Sequence, residues 1–197
     1  MLQNTLMLFH EHKIIIITAP SGSGKTSITR YLLAKYPLLS FSISAATRKP
    51  RSGEVDGEQY YFMSEEQFKT KINDNEFVEW EMVYEGNYYG TLKTELQRIW
   101  DLGKTPVLDI DVKGAIHIQQ EFGKDCISIF IEPPSVDELR KRLESRGSET
   151  PESLATRINK ASYEISFSHQ FQHTIVNHNL TIACAETEQL IKKFLTW

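Results

Sequence analysis

Four consecutive isoleucines, Ile14, Ile15, Ile16 and Ile17, lead through Thr18 into Ala19-Pro-Ser-Gly-Ser-Gly-Lys-Thr26. A continuous β-branched run reads as a strand buried on both faces. The turn after it opens a segment that reads as a helix to about Tyr36, stopped by Pro37. Strand, glycine-rich turn and helix in that order are the setting a phosphate-binding loop requires. Gly22 and Gly24 let successive backbone N–H groups turn inward as a nest for an anion. The helix N-terminus adds about half a positive charge. Lys25 is long enough to reach the outer phosphates of a nucleotide, and the Thr26 hydroxyl can ligate Mg²⁺. Ala19 stands where the usual pattern has glycine, and its methyl is tolerated if its φ is negative. A chance Gly/Ser turn is the competing reading, and the flanking strand and helix argue against it.

The rest of the chain alternates apolar strands with helices, which predicts an α/β fold of three layers with a parallel central sheet. Strands are expected at residues 41–45, 60–62, 77–84, 105–110, 127–131 and 175–176. A helix with a capping box, Ser64 with Gln67, is expected over Glu65–Asn73. Residues 86–90 read as a turn between glycines. Leu92, Leu96 and Ile99 share one helix face. Ser135 caps a basic helix running through Arg146, and Pro151 opens another. The expected organisation is one domain, with core 13–43, 92–139 and 163–197, an inserted lobe at 44–91, and an Arg-rich lid at about 140–162.

The length, 197 residues, suffices for a core without staples. The two cysteines, Cys126 and Cys184, lie in apolar stretches and read as reduced core thiols. No apolar run approaches the ~18 residues that span a membrane, and the N-terminal stretch lacks the pattern of a secretory signal. A cytoplasmic location is therefore expected. His169 and His173 have no acid placed to complete a metal site. Trp80, Trp100 and Trp197 read as core or lobe fillers.

Three polar clusters carry chemistry. Arg48 and Arg51 place two guanidinium groups in a loop around Pro50, able to converge with Ser44 and the Tyr60 hydroxyl on a phosphate, although a solvated basic loop has the same composition. Glu79, Asp109 and Asp111 sit among bulky apolar residues, where a carboxylate needs a partner. Asp109, at a strand end near the phosphate loop, suits a position just outside the ligands of a bound Mg²⁺. Glu79 and Asp111 are acceptors when ionised. Guanine offers two adjacent donors, N1–H and its 2-amino group, whereas adenine lacks that pair. Arg142 and Arg146, four apart, and Arg157 could neutralise charge developing in phosphoryl transfer. Alone, each acidic or basic group could equally face water.

Together these blocks resemble the guanylate kinase family. The resemblance rests on Ser42-Ile-Ser-Ala-Ala-Thr-Arg-Lys-Pro-Arg-Ser-Gly-Glu-Val-Asp-Gly57, Phe77-Val-Glu-Trp80, Gly86-Asn-Tyr-Tyr-Gly90, Leu108-Asp-Ile-Asp111, Arg142-Leu-Glu-Ser-Arg-Gly147 and Ile175-Val-Asn177. These run in order across nearly the whole chain. The resemblance implies a P-loop nucleoside monophosphate kinase with core, GMP-binding lobe and lid, converting ATP and GMP to ADP and GDP with Mg²⁺. By matching position it implies that Ser44, Arg48, Arg51, Tyr60, Glu79, Tyr89, Thr91 and Asp111 hold GMP. Ala19, Pro20, Ser21, Gly22, Ser23, Gly24, Lys25 and Thr26 would hold ATP, with Asn177 near the adenine. Lys25, Arg142, Arg146 and Arg157 would be catalytic. Lys113, where the family often has Gln, His178, where Asp often follows, and an extra residue at Tyr84-Glu85 depart from the pattern. Two other readings are an inactive binding module of the same fold, which could lose Lys25 and Thr26, and a kinase of another nucleoside monophosphate.

Charge agrees with small anionic substrates rather than a polyanion. The net charge is −4, yet residues 19–53 hold six basic groups and no acid, and residues 54–101 hold twelve acids against four basic groups. Nucleic acid polymers and membranes are not expected partners.

Overall fold

The computed structural model describes residues 12–145 and 150–196. Arg146 and Trp197 lie outside the described residues. Five parallel strands form the central sheet: β1 (Ile14–Thr18), β2 (Leu39–Phe41), β7 (Thr105–Leu108), β8 (Cys126–Glu132) and β9 (His173–Val176), in the order β2-β7-β1-β8-β9. The isoleucine run is buried on both faces, and its alternation divides the core. Ile15 and Ile17 pack with Ile28 and Leu32 of α1 (Lys25–Lys35) and with Ile191 and Leu195 of α7 (Leu180–Leu195). Ile14 and Ile16 pack on the other side with Leu96 of α3 (Lys93–Asp101) and Ile118 of α4 (Val112–Phe122). Helix, sheet and helix make the three layers. The Thr18 hydroxyl donates to Ile110 O at 2.7 Å, which holds the C-terminal ends of β1 and β7 together. The site forms at that edge, as expected outside the carboxyl ends of parallel strands.

A second sheet of four strands interrupts the core. Its order is β4 (Tyr61–Phe62), β3 (Ala45–Ala46), β6 (Asn87–Leu92), β5 (Phe77–Tyr84), with β5 and β6 antiparallel. Phe68 of α2 (Glu65–Asn73) stacks on Phe77 beneath it, with ring centroids 4.3 Å apart. The Ser64–Gln67 capping box forms as expected. The strand expected at 41–45 is in fact two: β2 belongs to the core and β3 to the lobe, so the chain changes sheets between them. Residues 86–90 are also not a turn. Gly86 alone turns, at φ 73°, and Asn87 to Gly90 pair as strand. Trp80 is 43% exposed rather than core-filling, whereas Trp100 packs against the core.

Buried Glu95 ties lobe to core. It accepts from Ile43 N and the Tyr61 hydroxyl, each at 2.9 Å, and is held by the Arg98 guanidinium. Above the phosphate loop, α5 (Val136–Glu144) and α6 (Pro151–Ile165) share a small cluster of Leu139, Leu143, Ile158 and Ala161. Cys126 and Cys184 are free and buried. Burial pushes the Cys126 thiol up to about 12, so it is inert. No described helix is long and apolar enough to cross a membrane.

Candidate functional site

Gly24 is the N-cap of α1 and offers no side chain to the helix's first N–H groups, nor is there an acid in the first turn. Those donors are left for an external anion. Gly22 and Gly24 sit at φ 98° and 96°, a region that disfavours a Cβ. Both are also packed closely. A Cβ on Gly22 would approach Leu139 Cδ1 to 2.8 Å, and one on Gly24 would approach Asn177 Nδ2 to 2.3 Å. Asn177 is buried, its side-chain Nδ2 donating to Ser23 O at 2.7 Å while its backbone carbonyl accepts from Arg142 Nη2 at 3.0 Å. The loop is thus bracketed from α5 and the end of β9. Arg157 Nη1 reaches it from α6 and donates to Ser21 Oγ at 3.0 Å.

The loop opens onto a cleft of about 570 Å³, within the range of small-molecule sites. Lys25 and Thr26 line it on one side, and Ser44, Arg51, Tyr60, Glu79 and Tyr89 on the lobe side. Asp109 and Asp111 form part of its floor. Lys25 Nζ and Asp109 are an ion pair. Asp111 caps α4, its Oδ1 accepting from Lys113 N at 2.9 Å and Gly114 N at 3.0 Å. Glu79 is only 7% exposed, and Thr91 Oγ1 donates to its Oε1 at 2.7 Å. Burial, reinforced by the negative charge of Asp111, pushes the Glu79 carboxyl up to about 7, while the Thr91 hydrogen bond pulls it down. Burial likewise raises the Tyr60 hydroxyl.

The loop that carries the two arginines is organised by Glu54. Its carboxylate takes a two-pronged bond from the Arg48 guanidinium, at 2.6 and 2.8 Å, and a third from Arg51 N at 2.7 Å. These donors, Arg48 first, hold the Glu54 carboxyl down at about 2. Arg48 also lies over the Tyr60 ring, 4.8 Å from its centroid.

A family model described as guanylate kinase matches residues 11–194. The chain belongs to the guanylate kinase family. It is 48% identical over 183 residues to a guanylate kinase of Bacteroides thetaiotaomicron, covering 93% of this chain and 90% of that one. It is 45% identical over 183 residues to one of Chlorobium chlorochromatii, covering 93% and 96%. Among solved structures, the guanylate kinase of Anaplasma phagocytophilum superposes with a TM-score of 0.73 at 29% identity, over 92% of this chain and 85% of that one. Membership makes the chain a nucleoside monophosphate kinase, an ATP:GMP phosphotransferase that acts in purine nucleotide metabolism.

Measured against the residues that the sequence singled out, the cleft gathers most of them, from the phosphate loop through Asp111. Ser23 and Thr91 are fully buried beneath its surface, and Asn177 is buried behind the loop. Arg48 stands beside the cleft on Glu54. Arg142 contacts Asn177 behind the loop, Arg157 contacts the loop itself at Ser21, and Arg146 lies outside the described residues. Sequence reasoning missed Glu54, Lys160 and Glu164. The last two line the cleft from α6 and form an ion pair of 3.8 Å. Arg157, Lys160 and Glu164 recur at i, i+3 and i+7, so one polar helix face was there to be read.

Proposed function

We propose that GMP binds on the lobe side of this cleft and receives the γ-phosphoryl group from ATP held on the phosphate loop. The observation that carries the reading is that two acidic acceptors, Glu79 and Asp111, share one cleft with Lys25 and the uncapped N-terminus of α1. Ionised Glu79 and Asp111 accept from the N1–H and 2-amino group of guanine. Adenine would leave them unpaired at a cost of ~1–3 kcal/mol each. Arg48, Arg51, Ser44, Tyr60 and Tyr89 hold the GMP phosphate, and Thr91 acts by fixing Glu79. The roles proposed here engage the base and the phosphate, so dGMP is an expected second acceptor.

The attacking atom is a phosphate oxygen of GMP, already mostly anionic near neutral pH because its second pKa is ~6. No general base is needed. The protein's work is in-line positioning and neutralisation of charge on the transferring group. Lys25, Arg142, Arg146 and Arg157 supply that charge, and residues 140–162 act as a lid that keeps water from competing as acceptor. Asn177 serves the ATP side by bracing the loop.

Mg²⁺ fits the donors at hand, because Thr26 and Asp109 both offer oxygen to the cleft beside Lys25, and a hard cation takes oxygen. Bound with ATP, it would neutralise phosphate charge. The cytoplasm is the proposed site of action, in keeping with two buried cysteines that remain free.

The test is Lys25→Ala assayed for GMP-dependent ADP formation. A fall in kcat of about 100-fold or more, with the fold retained, is expected. Undiminished turnover overturns the assignment.

A further inference from the structure

The carboxylate of Glu79 is confined from two directions. Thr91 Oγ1 holds Oε1 on one side, and Oε2 lies against Gly114 in the first turn of α4 on the other. A Cβ built on Gly114 would lie 2.4 Å from Glu79 Oε2, 3.0 Å from Cδ and 3.4 Å from Cγ. A methyl there would force the carboxyl to withdraw by roughly 1 Å to reach ordinary contact. The backbone does not itself call for glycine, because Gly114 is absent from the positive-φ residues and is helical. In a helix, glycine is less favourable than alanine. Space for the carboxylate is what glycine supplies here. The same residue donates its N–H to Asp111 Oδ1 at 3.0 Å.

We propose that Gly114 is a positioning residue for base selection, setting the place of the Glu79 carboxylate relative to Asp111 so that both acceptors meet the paired donors of guanine. This rests on the reading of Glu79 and Asp111 as the groups that recognise the base. A second cavity of about 430 Å³, lined by Glu79, Trp80, Lys113, Gly114 and His117, adjoins this contact, so the packing around the pair is not solid.

Steady-state kinetics of the full chain with GMP and with IMP, which lacks the 2-amino group, tests this. Gly114→Ala should raise the KM for GMP about tenfold or more, leave the KM for ATP unchanged and change kcat little. The preference for GMP over IMP should collapse, because the two acceptors no longer span two donors. Glu79→Asp shortens the acid by one methylene and makes room for the methyl. The double variant E79D/G114A should therefore bind GMP no worse than E79D alone, which also carries the test if G114A does not fold. A wild-type KM for GMP in G114A, an equal rise in the KM for ATP, or a double variant about tenfold worse than E79D would overturn the proposal. Glu79→Gln separates the two levels. If E79Q keeps its GMP affinity, base reading by Glu79 is wrong. If E79Q is impaired while G114A is not, only the role of Gly114 falls.

Discussion

Replacing Glu79 by Gln should make the ligand-free protein more stable and the enzyme worse. Glu79 is buried, and its pKa rises from an ordinary 4.5 to about 7 in the folded state. The native state therefore holds this proton more tightly than the unfolded chain does. The resulting destabilisation is absent below the unfolded pKa, grows as pH rises, and is complete above about pH 7. A difference of about 2.5 units corresponds to at most about 3 kcal/mol. Glutamine is neutral at every pH and can still accept from Thr91. Glu79→Gln should thus gain up to about 3 kcal/mol near pH 8, or roughly 6–12 °C in Tm for a domain of this size. The gain should vanish near pH 4.5. In the complex the sign reverses. The glutamine amide turns N–H groups toward guanine donors, and kcat/KM for GMP should fall about 10- to 100-fold. Calorimetry across pH 4.5–8 and a coupled ADP assay read both effects. Equal melting temperatures for wild type and variant at pH 8, or undiminished GMP turnover, would refute the reasoning.

In the wild type the same group makes selectivity depend on pH. GMP and AMP share the same phosphate titration, so the ratio of their kcat/KM values isolates the base site; it should fall by up to about tenfold per unit below pH 7 and stay flat above. Lys160→Ala removes a cleft-lining cation paired with Glu164 and should lower kcat by about 3- to 30-fold with little change in Tm, checked by saturation kinetics and melting. Gly24→Ala forces a methyl against Asn177 at a φ of 96° and should cost about 2–4 kcal/mol, read as a lower midpoint in urea, with activity lost as well.

Much of this site is local in the chain, and that part was legible. The phosphate loop needs a buried strand, two glycines, a lysine and a helix start, all within residues 14–26, and the structure supplies each. The isoleucine run likewise announced a strand with two buried faces. What the sequence hid depends on residues brought from afar. Asn177 braces Ser23 from 154 positions away, a hold on the loop's backbone that no local pattern announces. Glu95 is buried because Ile43 and Tyr61, distant in the chain, and Arg98 converge on it. Residues 86–90 looked like a turn because glycines bracket them, but Gly90 is a strand position packed closely on Glu79 O and Trp80 Cβ, where no side chain fits. Trp80 has core composition and yet stands at the surface of the lobe sheet, since alternation along β5 sends Glu79 inward. Glu79 shows why composition alone misleads here. The acid is buried and the tryptophan exposed, an inversion that serves binding at the expense of stability.

The central claim is that one cleft reads guanine and delivers phosphoryl transfer to its nucleotide. The direct measurement is ADP release from ATP with GMP, dGMP, AMP, UMP and CMP as acceptors under identical conditions. The account predicts efficient turnover of GMP and dGMP, with kcat/KM for the other three lower by about 100-fold or more. Turnover of AMP, UMP or CMP equal to that of GMP would contradict it.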